Sequence, residues 1–271
     1  MGSLDPVSSW DVPHAAAAVI GADGAIVDTF GDVQRPFRLA SLTKMFTGWA
    51  AMIAVEEGVV ALDDQAGQPG STLRHLLAHA GGYGFNGTTP LLPPERRRIY
   101  SNVGIELAAD AVAAAAEMPF GDYLAGGVLE PLGMVGAELH GSPAHGLVVS
   151  VAELAAFAAE LLAPRLLSPE GAASAVEAHY PALAGIVPGV GRFDPCPWGL
   201  GIEVRGEKSP HWTGRTNSPA TFGHFGGAGT MMWADPIAGR ALIALTDRRF
   251  DSWPEAVREW SQLSDRVIAA V

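Results

Sequence analysis

The chain has 271 residues, enough for one large domain or two closely packed lobes, and its 48% hydrophobic and 17% charged composition is typical of a compact globular protein. Seventeen basic residues against 29 acidic ones give a net charge of −12, which disfavours nucleic acid and anionic membrane surfaces as partners. The single cysteine, Cys196, excludes an intramolecular disulfide and a cysteine zinc cluster.

The sequence carries no sign of export or of a membrane segment. No run of about eighteen apolar residues predicts a transmembrane helix, and residues 1–14 lack the basic and apolar regions of a secretory signal. We therefore expect a cytoplasmic location and no membrane partner. The start Met1-Gly2-Ser3 resembles a cloning remnant, which leaves open that a leader was removed.

The N-terminal part predicts a β-hairpin followed by a helix. Apolar runs at residues 14–20 and 25–30 flank Gly21-Ala22-Asp23-Gly24, a typical hairpin turn. After an extended segment, residues 44–57 carry apolar side chains at helical spacing and stop before Gly58. Ser41 therefore falls on or just before the first turn of this helix.

Ser41 and Lys44 have the spacing of a nucleophile and its base. Residues three apart on a helix share one face, with Cβ atoms about 5 to 6 Å apart, and the unpaired N–H groups of the first turn stabilise an anion. To accept a proton near neutral pH, Lys44 needs a pKa about three units below the ordinary value of roughly 10.4. Taken alone, a serine and a lysine at this spacing are weak evidence, because the pattern is common by chance.

The middle of the chain predicts a block of helices. His75 and His79 have the i, i+4 spacing of a zinc pair, but no glutamate follows His75 and no third ligand is evident, so we interpret both as structural. Arg96-Arg97-Arg98 ends a proline-rich loop and predicts a solvated basic surface. The predicted helices cover residues 73–79, 103–117, 120–129, 150–162 and 168–178.

From residue 198 onward the pattern changes to strands and closes with an amphipathic helix. The strands are predicted at 200–204, 222–226, 230–234 and 241–246, and the helix at 253–271. This order predicts an α/β (α+β) fold, in which an antiparallel sheet is flanked by N- and C-terminal helices and joined to a helical lobe. We expect one unit over residues 1–271, with an α/β lobe from 1–60 and 196–271 and a helical lobe from 61–195.

Three short motifs occur in order along the chain. Together they resemble the serine β-lactamase and penicillin-binding protein superfamily, in which S-x-x-K is followed by S-x-N or Y-x-N and then by a K-T-G or H-x-G strand. The tyrosine form resembles class C β-lactamases, the related DD-peptidases and the esterases of the same fold, and the similarity runs from about His14 to the C-terminus. The motifs are Ser41-x-x-Lys44, Tyr100-x-Asn102 and His224-Phe225-Gly226.

The resemblance implies an acyl-enzyme formed on Ser41. Lys44 and Tyr100 would share the general-base and proton-relay work. Tyr100 would need cationic neighbours to become a good base, and Lys44 and His224 are the available ones. Asn102 would hydrogen-bond both Lys44 and the substrate.

The resemblance also implies an oxyanion hole formed by backbone groups. By position in the motifs, its donors are the N–H groups of Ser41 and Gly227, and one such donor is worth about 3 to 4 kcal/mol. Gly226 suits close approach of substrate to the strand backbone, with a bulged edge strand as the alternative.

The third motif departs from the β-lactamase pattern in a way that bears on the substrate. Many β-lactamases hold the substrate carboxylate with a lysine and a hydroxyl, where this chain has His224 and Phe225. Neither a phenyl ring nor a neutral histidine can replace them, which weakens penicillin recognition. Trp212, in the preceding loop, is a candidate to stack on the substrate, with a packed surface loop as the alternative.

We therefore predict a serine hydrolase that needs no cofactor or metal and acts on a small-molecule ester or amide. The first alternative is a true β-lactamase or D-alanyl-D-alanine peptidase with a β-lactam-like substrate, against which Phe225 and the missing export signal count. The second is a penicillin-binding-type sensor module that is acylated without turnover. The sequence defines neither the physiological substrate nor the oligomeric state.

Overall fold

A computed structural model describes residues 2–270. Its strands are β1 (Ala15–Gly21), β2 (Ile26–Gly31), β3 (Pro36–Arg38), β4 (Glu138–Leu139), β5 (Leu147–Ser150), β6 (Gly185–Val187), β7 (Gly191–Phe193), β8 (Glu203–Val204), β9 (Phe222–Gly226), β10 (Thr230–Asp235) and β11 (Arg240–Thr246).

The helices lie mainly between β2 and β8. The last of them occupies most of the predicted helix 253–271, whose final residue, Val271, lies outside the described residues. Among residues 2–270, no helix combines the length and apolar character needed to cross a bilayer. The helices are α1 (Thr43–Glu56), α2 (Leu73–Leu77), α3 (Asn102–Ala116), α4 (Phe120–Leu124), α5 (Val151–Leu162), α6 (Pro169–Val176) and α7 (Ala256–Ala269), with 3-10 turns at Asp5–Ser9, Ala40–Leu42 and Phe250–Ser252 and a π-helical turn at Ala125–Leu129.

Segments from both ends of the chain build one six-stranded antiparallel sheet, in the order β2-β1-β11-β10-β9-β8. β1 pairs with β2 in a hairpin and with β11 on its other side, where Ala15 lies opposite Thr246 and Gly21 opposite Arg240. Two small sheets, β3-β5-β4 and β6-β7, lie outside it. The predicted α/β (α+β) fold with an antiparallel sheet and flanking helices is confirmed.

Both faces of the large sheet are covered. α5 packs against β1, β10 and β11, although its place in the chain falls within the expected helical lobe. Trp260 and Leu263 of α7 pack with Trp233 and Leu242 in a separate core cluster. Because helices cover both faces, every residue of β10 is buried, which explains its continuous apolar run where a half-exposed strand would alternate.

α1 is buried along nearly its whole length. Its residues 43–54 are all buried, as expected for a helix that is apolar on every side. A Cβ on Gly48 would lie 2.0 Å from the carbonyl oxygen of Leu200, and one on Gly201 would lie 2.4 Å from that of Lys44. These glycines therefore let the segment before β8 lie directly on the backbone of α1, beside Lys44.

Arg98 is buried, with 2% of its surface exposed, so the expectation of a solvated basic surface is wrong for this residue. Its guanidinium donates hydrogen bonds to the carbonyl oxygens of Cys196 at 2.9 Å, His179 at 2.7 Å and Tyr180 at 3.0 Å, and also to that of Ala78. Burial lowers the pKa of Arg98 to about 10, so it stays charged at neutral pH. The planar fork of N–H groups explains why an arginine can join several carbonyl groups here.

We expect Arg98→Ala to lower the free energy of unfolding by about 3 kcal/mol or more, because the carbonyl groups lose their common buried donor. Arg96→Ala is the matched control, since Arg96 is exposed, and its effect should stay within about 0.5 kcal/mol. Urea unfolding followed by circular dichroism measures both. Equal effects of the two substitutions would contradict the structural role of Arg98.

Candidate active site

Ser41 lies in the 3-10 turn Ala40–Leu42, which runs directly into α1. Ala40, just before it, has a φ of 49°, a left-handed conformation that is strained for a residue with a Cβ. Neighbouring groups hold this turn. Thr230 on β10 donates to the carbonyl oxygen of Leu39 at 2.8 Å, and the Leu39 N–H donates to Leu147 on β5 at 2.9 Å. The large sheet and a small sheet thereby fix the position of Ser41.

Lys44 is fully buried beside Ser41. Its Nζ lies 3.2 Å from the Ser41 Oγ, 2.7 Å from Oδ1 of Asn102 and 2.9 Å from the carbonyl oxygen of Ala144. The oxygens of Asn102 and Ala144 can only accept hydrogen bonds. A neutral amine with two N–H groups satisfies both of them and leaves its lone pair for the Ser41 hydroxyl. The geometry therefore suits Lys44 in the form that can accept a proton.

The electrostatic surroundings favour the same form of Lys44. Burial lowers its pKa to about 7, against the smaller opposing effect of the Glu106 carboxylate. Sequence analysis missed Glu106, although it lies four residues after Asn102 on α3 and thus on the same face of that helix. Glu106 also accepts a hydrogen bond from Ser142 at 2.5 Å, in the loop that carries Ala144.

Tyr100 and His224 face each other across the site. The Nδ1 of His224 lies 2.6 Å from the carbonyl oxygen of Phe225, so this nitrogen carries the hydrogen. Its Nε2, 3.3 Å from the Tyr100 hydroxyl, is then an acceptor and Tyr100 the donor. Burial, aided by the nearby Lys44, lowers the pKa of His224 to about 3. The expectation that His224 supplies positive charge to Tyr100 is therefore wrong, because the imidazole is neutral.

Tyr100 remains protonated in this setting. Burial raises its pKa well above the ordinary value, against the smaller opposing effect of the Ser41 hydroxyl. Its ring packs between those of His79 and Trp198, with centroid distances of 4.8 and 5.7 Å. Tyr100 is therefore a neutral hydrogen-bond donor near neutral pH and not a base, which differs from the expectation that it shares the general-base work.

The two histidines at zinc-like spacing have separate structural contacts. His79 accepts a hydrogen bond from the backbone N–H of Ser101 at 3.2 Å, which orients the start of α3. His75 belongs to a capping box with Thr72 at the start of α2, and its Nε2 lies 2.9 Å from Glu95. The His79 ring therefore supports the segment that follows Tyr100, and the His75 ring supports the loop that precedes Tyr100.

Gly226 and Gly227 bring the end of β9 against the Ser41 turn. A Cβ on Gly226 would lie 2.3 Å from the carbonyl oxygen of Leu39, whereas one on Gly227 would meet open space. The Gly227 carbonyl accepts a hydrogen bond from the N–H of Phe250 at 3.0 Å, which fixes the orientation of that loop. Ser41 and Gly227 line the same cavity.

This cavity, which we call the Ser41 pocket, has a volume of about 360 Å³ and is mostly apolar. Phe225 forms part of its wall and packs against Phe250, Trp212 and Trp260, with centroid distances of 5.0 to 5.7 Å. The pocket is lined by Ser41, Phe85, Tyr100, Val187, Pro188, Gly189, Trp198, His224, Phe225, Gly227, Phe250 and Asp251.

Trp212 does not line the Ser41 pocket, and only 1% of its surface is exposed. Its indole N–H donates to Glu203 at 2.8 Å. Glu203 also pairs with Lys208 at 2.6 Å and His211 at 3.0 Å. Burial raises the pKa of Glu203, but these partners outweigh burial and the pKa is lowered. The expectation that Trp212 stacks on substrate therefore does not hold, and the packed-loop alternative fits its burial.

The antiparallel sheet with helices on both faces, and a serine and a lysine at the start of a buried helix, define the serine β-lactamase and penicillin-binding protein-like superfamily. The family model described as Beta-lactamase matches residues 8–265. The chain belongs to the β-lactamase family, which is consistent with serine hydrolase activity.

Several solved structures are similar to this chain over almost its whole length. A structure described as a β-lactamase from Mycobacterium bovis is 47% identical in sequence, covers 99% of each chain and superposes with a TM-score of 0.96. A β-lactamase/D-alanine carboxypeptidase from Yersinia pestis and the simvastatin synthase of Aspergillus terreus each superpose with a TM-score of 0.76 over 98% of both chains, at 18% and 16% identity. The Yersinia pestis and Aspergillus terreus proteins share the fold of this chain. No curated protein matches the sequence.

We expect the rate at which a fluorophosphonate probe labels Ser41 to rise with pH through about 7, because the pKa of Lys44 is about 7 and its protonated form cannot accept the serine proton. His224, with a pKa of about 3, adds no second step between about pH 5 and 9. Labelling is followed by intact mass spectrometry.

Lys44→Arg serves as the companion variant, because a guanidinium stays charged at every usable pH. We expect its labelling to be slower by about 100-fold or more. A wild-type rate that does not change with pH across this range would exclude Lys44 as the base.

Proposed function

We propose that this protein is a serine hydrolase that cleaves small neutral esters or amides through an acyl-enzyme on Ser41. The observation that carries the proposal is the buried Lys44 amine, 3.2 Å from the Ser41 hydroxyl and with a pKa of about 7. A serine needs such a neighbouring base to become nucleophilic. Asn102 and Ala144 hold the amine in position.

In the first step, the Ser41 Oγ attacks the substrate carbonyl carbon while its proton moves to the Lys44 Nζ. The backbone N–H groups of Ser41 and Gly227 would stabilise the oxyanion, where one donor is worth about 3 to 4 kcal/mol. The open space beside Gly227 leaves room for substrate at this point.

Collapse of the tetrahedral intermediate requires a proton for the leaving alcohol or amine. Tyr100 is protonated and lines the pocket, so it donates its proton to the leaving group and recovers one from the Lys44 ammonium. His224 orients the phenol as a neutral acceptor. Water then attacks the acyl-enzyme with Lys44 again as the base, which frees the acid and restores Ser41.

The pocket favours a neutral substrate over a β-lactam. Phe225 presents a ring where a hydroxyl would hold the carboxylate, and His224 is neutral. Asp251 is the charged residue among those that line the Ser41 pocket, and its carboxylate is already paired with Arg249 at 2.9 Å, so no free cation among these residues awaits a substrate carboxylate. The second candidate, a β-lactamase, is favoured by the 47% identity to the Mycobacterium bovis structure of that description.

Hydrolysis of p-nitrophenyl butyrate and of nitrocefin separates the two candidates. We expect ester turnover that exceeds nitrocefin turnover and that falls by about 1,000-fold or more in Ser41→Ala. Ser9→Ala, at an exposed serine, is the control and should match the wild type. Turnover of nitrocefin alone would favour the β-lactamase. Acylation that persists in intact mass spectra without turnover would indicate the sensor module.

We expect Phe225→Thr to increase the rate of acylation by nitrocefin about tenfold more than it changes ester turnover, because a hydroxyl can hold the β-lactam carboxylate. Phe225→Leu is the matched control, since it removes the ring without adding a donor. Stopped-flow acylation rates and steady-state ester kinetics measure the effects. If both variants change the two activities alike, the argument from carboxylate recognition is wrong.

A further inference from the structure

Exposed apolar side chains cluster next to the Ser41 pocket. Phe85, Leu91, Leu92 and Ile186 are 38% to 65% exposed, and all four line one groove of about 650 Å³. Scattered apolar side chains on a surface need no explanation, but a contiguous apolar groove marks a binding site. Its volume lies in the range of small-molecule sites, about 300 to 1,000 Å³.

The groove adjoins the Ser41 pocket. Phe85, Tyr100 and Pro188 line both cavities, so a chain attached to Ser41 would reach the groove across one largely apolar wall. The Tyr100 and Phe85 rings stack, with centroids 5.9 Å apart, and form the boundary between the two spaces.

Both walls of the groove are held in place by the backbone. On one side the N–H groups of Leu91 and Leu92 donate to the carbonyl oxygen of Gly82 at 2.8 and 3.3 Å. On the other side, β6 carries Ile186, and the Arg98 N–H donates to Ala184 at 3.0 Å, next to that strand. The groove is therefore largely formed before a ligand arrives.

Charges near the two cavities indicate the direction in which an apolar chain would lie. The ion pair of Asp251 with Arg249 lies beside the Ser41 pocket, because Asp251 lines that pocket and not the groove. In the groove, the Arg98 guanidinium is occupied by carbonyl oxygens, and Arg97 is the other charged residue. An apolar chain would cover the charged Asp251–Arg249 pair on one side, whereas on the other side it gains contacts along Leu91 and Ile186.

We propose that this groove, the acyl groove, binds the apolar acyl chain of the substrate. The inference rests on the proposed ester hydrolase activity and adds its substrate class: neutral esters with linear acyl chains of medium length. The acyl chain is the part that stays attached to Ser41 after the alcohol leaves. Binding this chain in the acyl groove holds the acyl group of the acyl-enzyme in one orientation while water enters.

A series of p-nitrophenyl esters from acetate to decanoate, kept below the concentration at which they aggregate, tests the proposal. We expect kcat/KM to rise roughly twofold for each methylene from butyrate to decanoate, because a half-open groove removes about half of each methylene from water. The matching series of alkyl butyrates, in which only the alcohol lengthens, should show no comparable rise.

The outcomes separate this inference from the proposed function. Turnover of acetate and butyrate with no rise toward decanoate would overturn the acyl groove and leave the hydrolase intact. A rise in the alcohol series alone would also overturn it. Absence of turnover for every ester, with no labelling by fluorophosphonate, would overturn both the hydrolase and the groove.

Substitutions in the groove provide a second test. We expect Ile186→Gln and Leu91→Gln each to lower the ratio of kcat/KM for decanoate to that for acetate by about fivefold or more, because a polar side chain replaces an apolar contact. Ile26→Gln is the matched control, since Ile26 is 48% and Ile186 52% exposed and both lie in strands. It should leave the ratio unchanged. An unchanged ratio in both groove variants would place the acyl chain elsewhere.

Discussion

The chemistry of the site depends on the burial of one amine. Lys44 has no exposed surface, and the loss of water lowers its pKa to about 7, a shift worth on the order of 5 kcal/mol against the charged form. The fold maintains this burial because α1 is packed on all sides and because Gly48 and Gly201 bring a second backbone against it. Reactivity at Ser41 is therefore a direct result of core packing around α1.

Burial has different effects on the ionisable groups around Ser41 and on Arg98. Around Ser41, burial keeps His224 neutral and Tyr100 protonated, so the site works with uncharged donors and acceptors. Arg98 is also buried, yet it stays charged because burial lowers its high pKa only to about 10, and its guanidinium donates to surrounding carbonyl groups. The groups around Ser41 can transfer a proton, whereas the Arg98 guanidinium joins loops through their carbonyl oxygens.

Local sequence patterns predicted the strands of the large sheet, most helices and the three motifs, because these depend on periodicity, turn chemistry and short spacings. They did not predict β4 to β7, which are two to four residues long and lie within the expected helical lobe. The sequence could not distinguish Arg98 from Arg96, since only the surrounding carbonyl groups make the difference. Nor could it show that Trp212 lies behind Phe225 or that His224 is neutral, because both depend on burial by distant segments. Glu106 was within reach of sequence analysis, through its i+4 spacing from Asn102.

The pairing of β1 with β11 links residues more than 200 positions apart in sequence. Ser41 is supported through Leu39 by Thr230 of β10, and β10 is ordered by pairing with β11. Contacts of such long range form slowly and late in folding. The strained turn at Ala40 therefore gains part of its support, the hydrogen bond from Thr230, only after most of this chain has been synthesised, so a partly made chain contains Ser41 in an incompletely held turn.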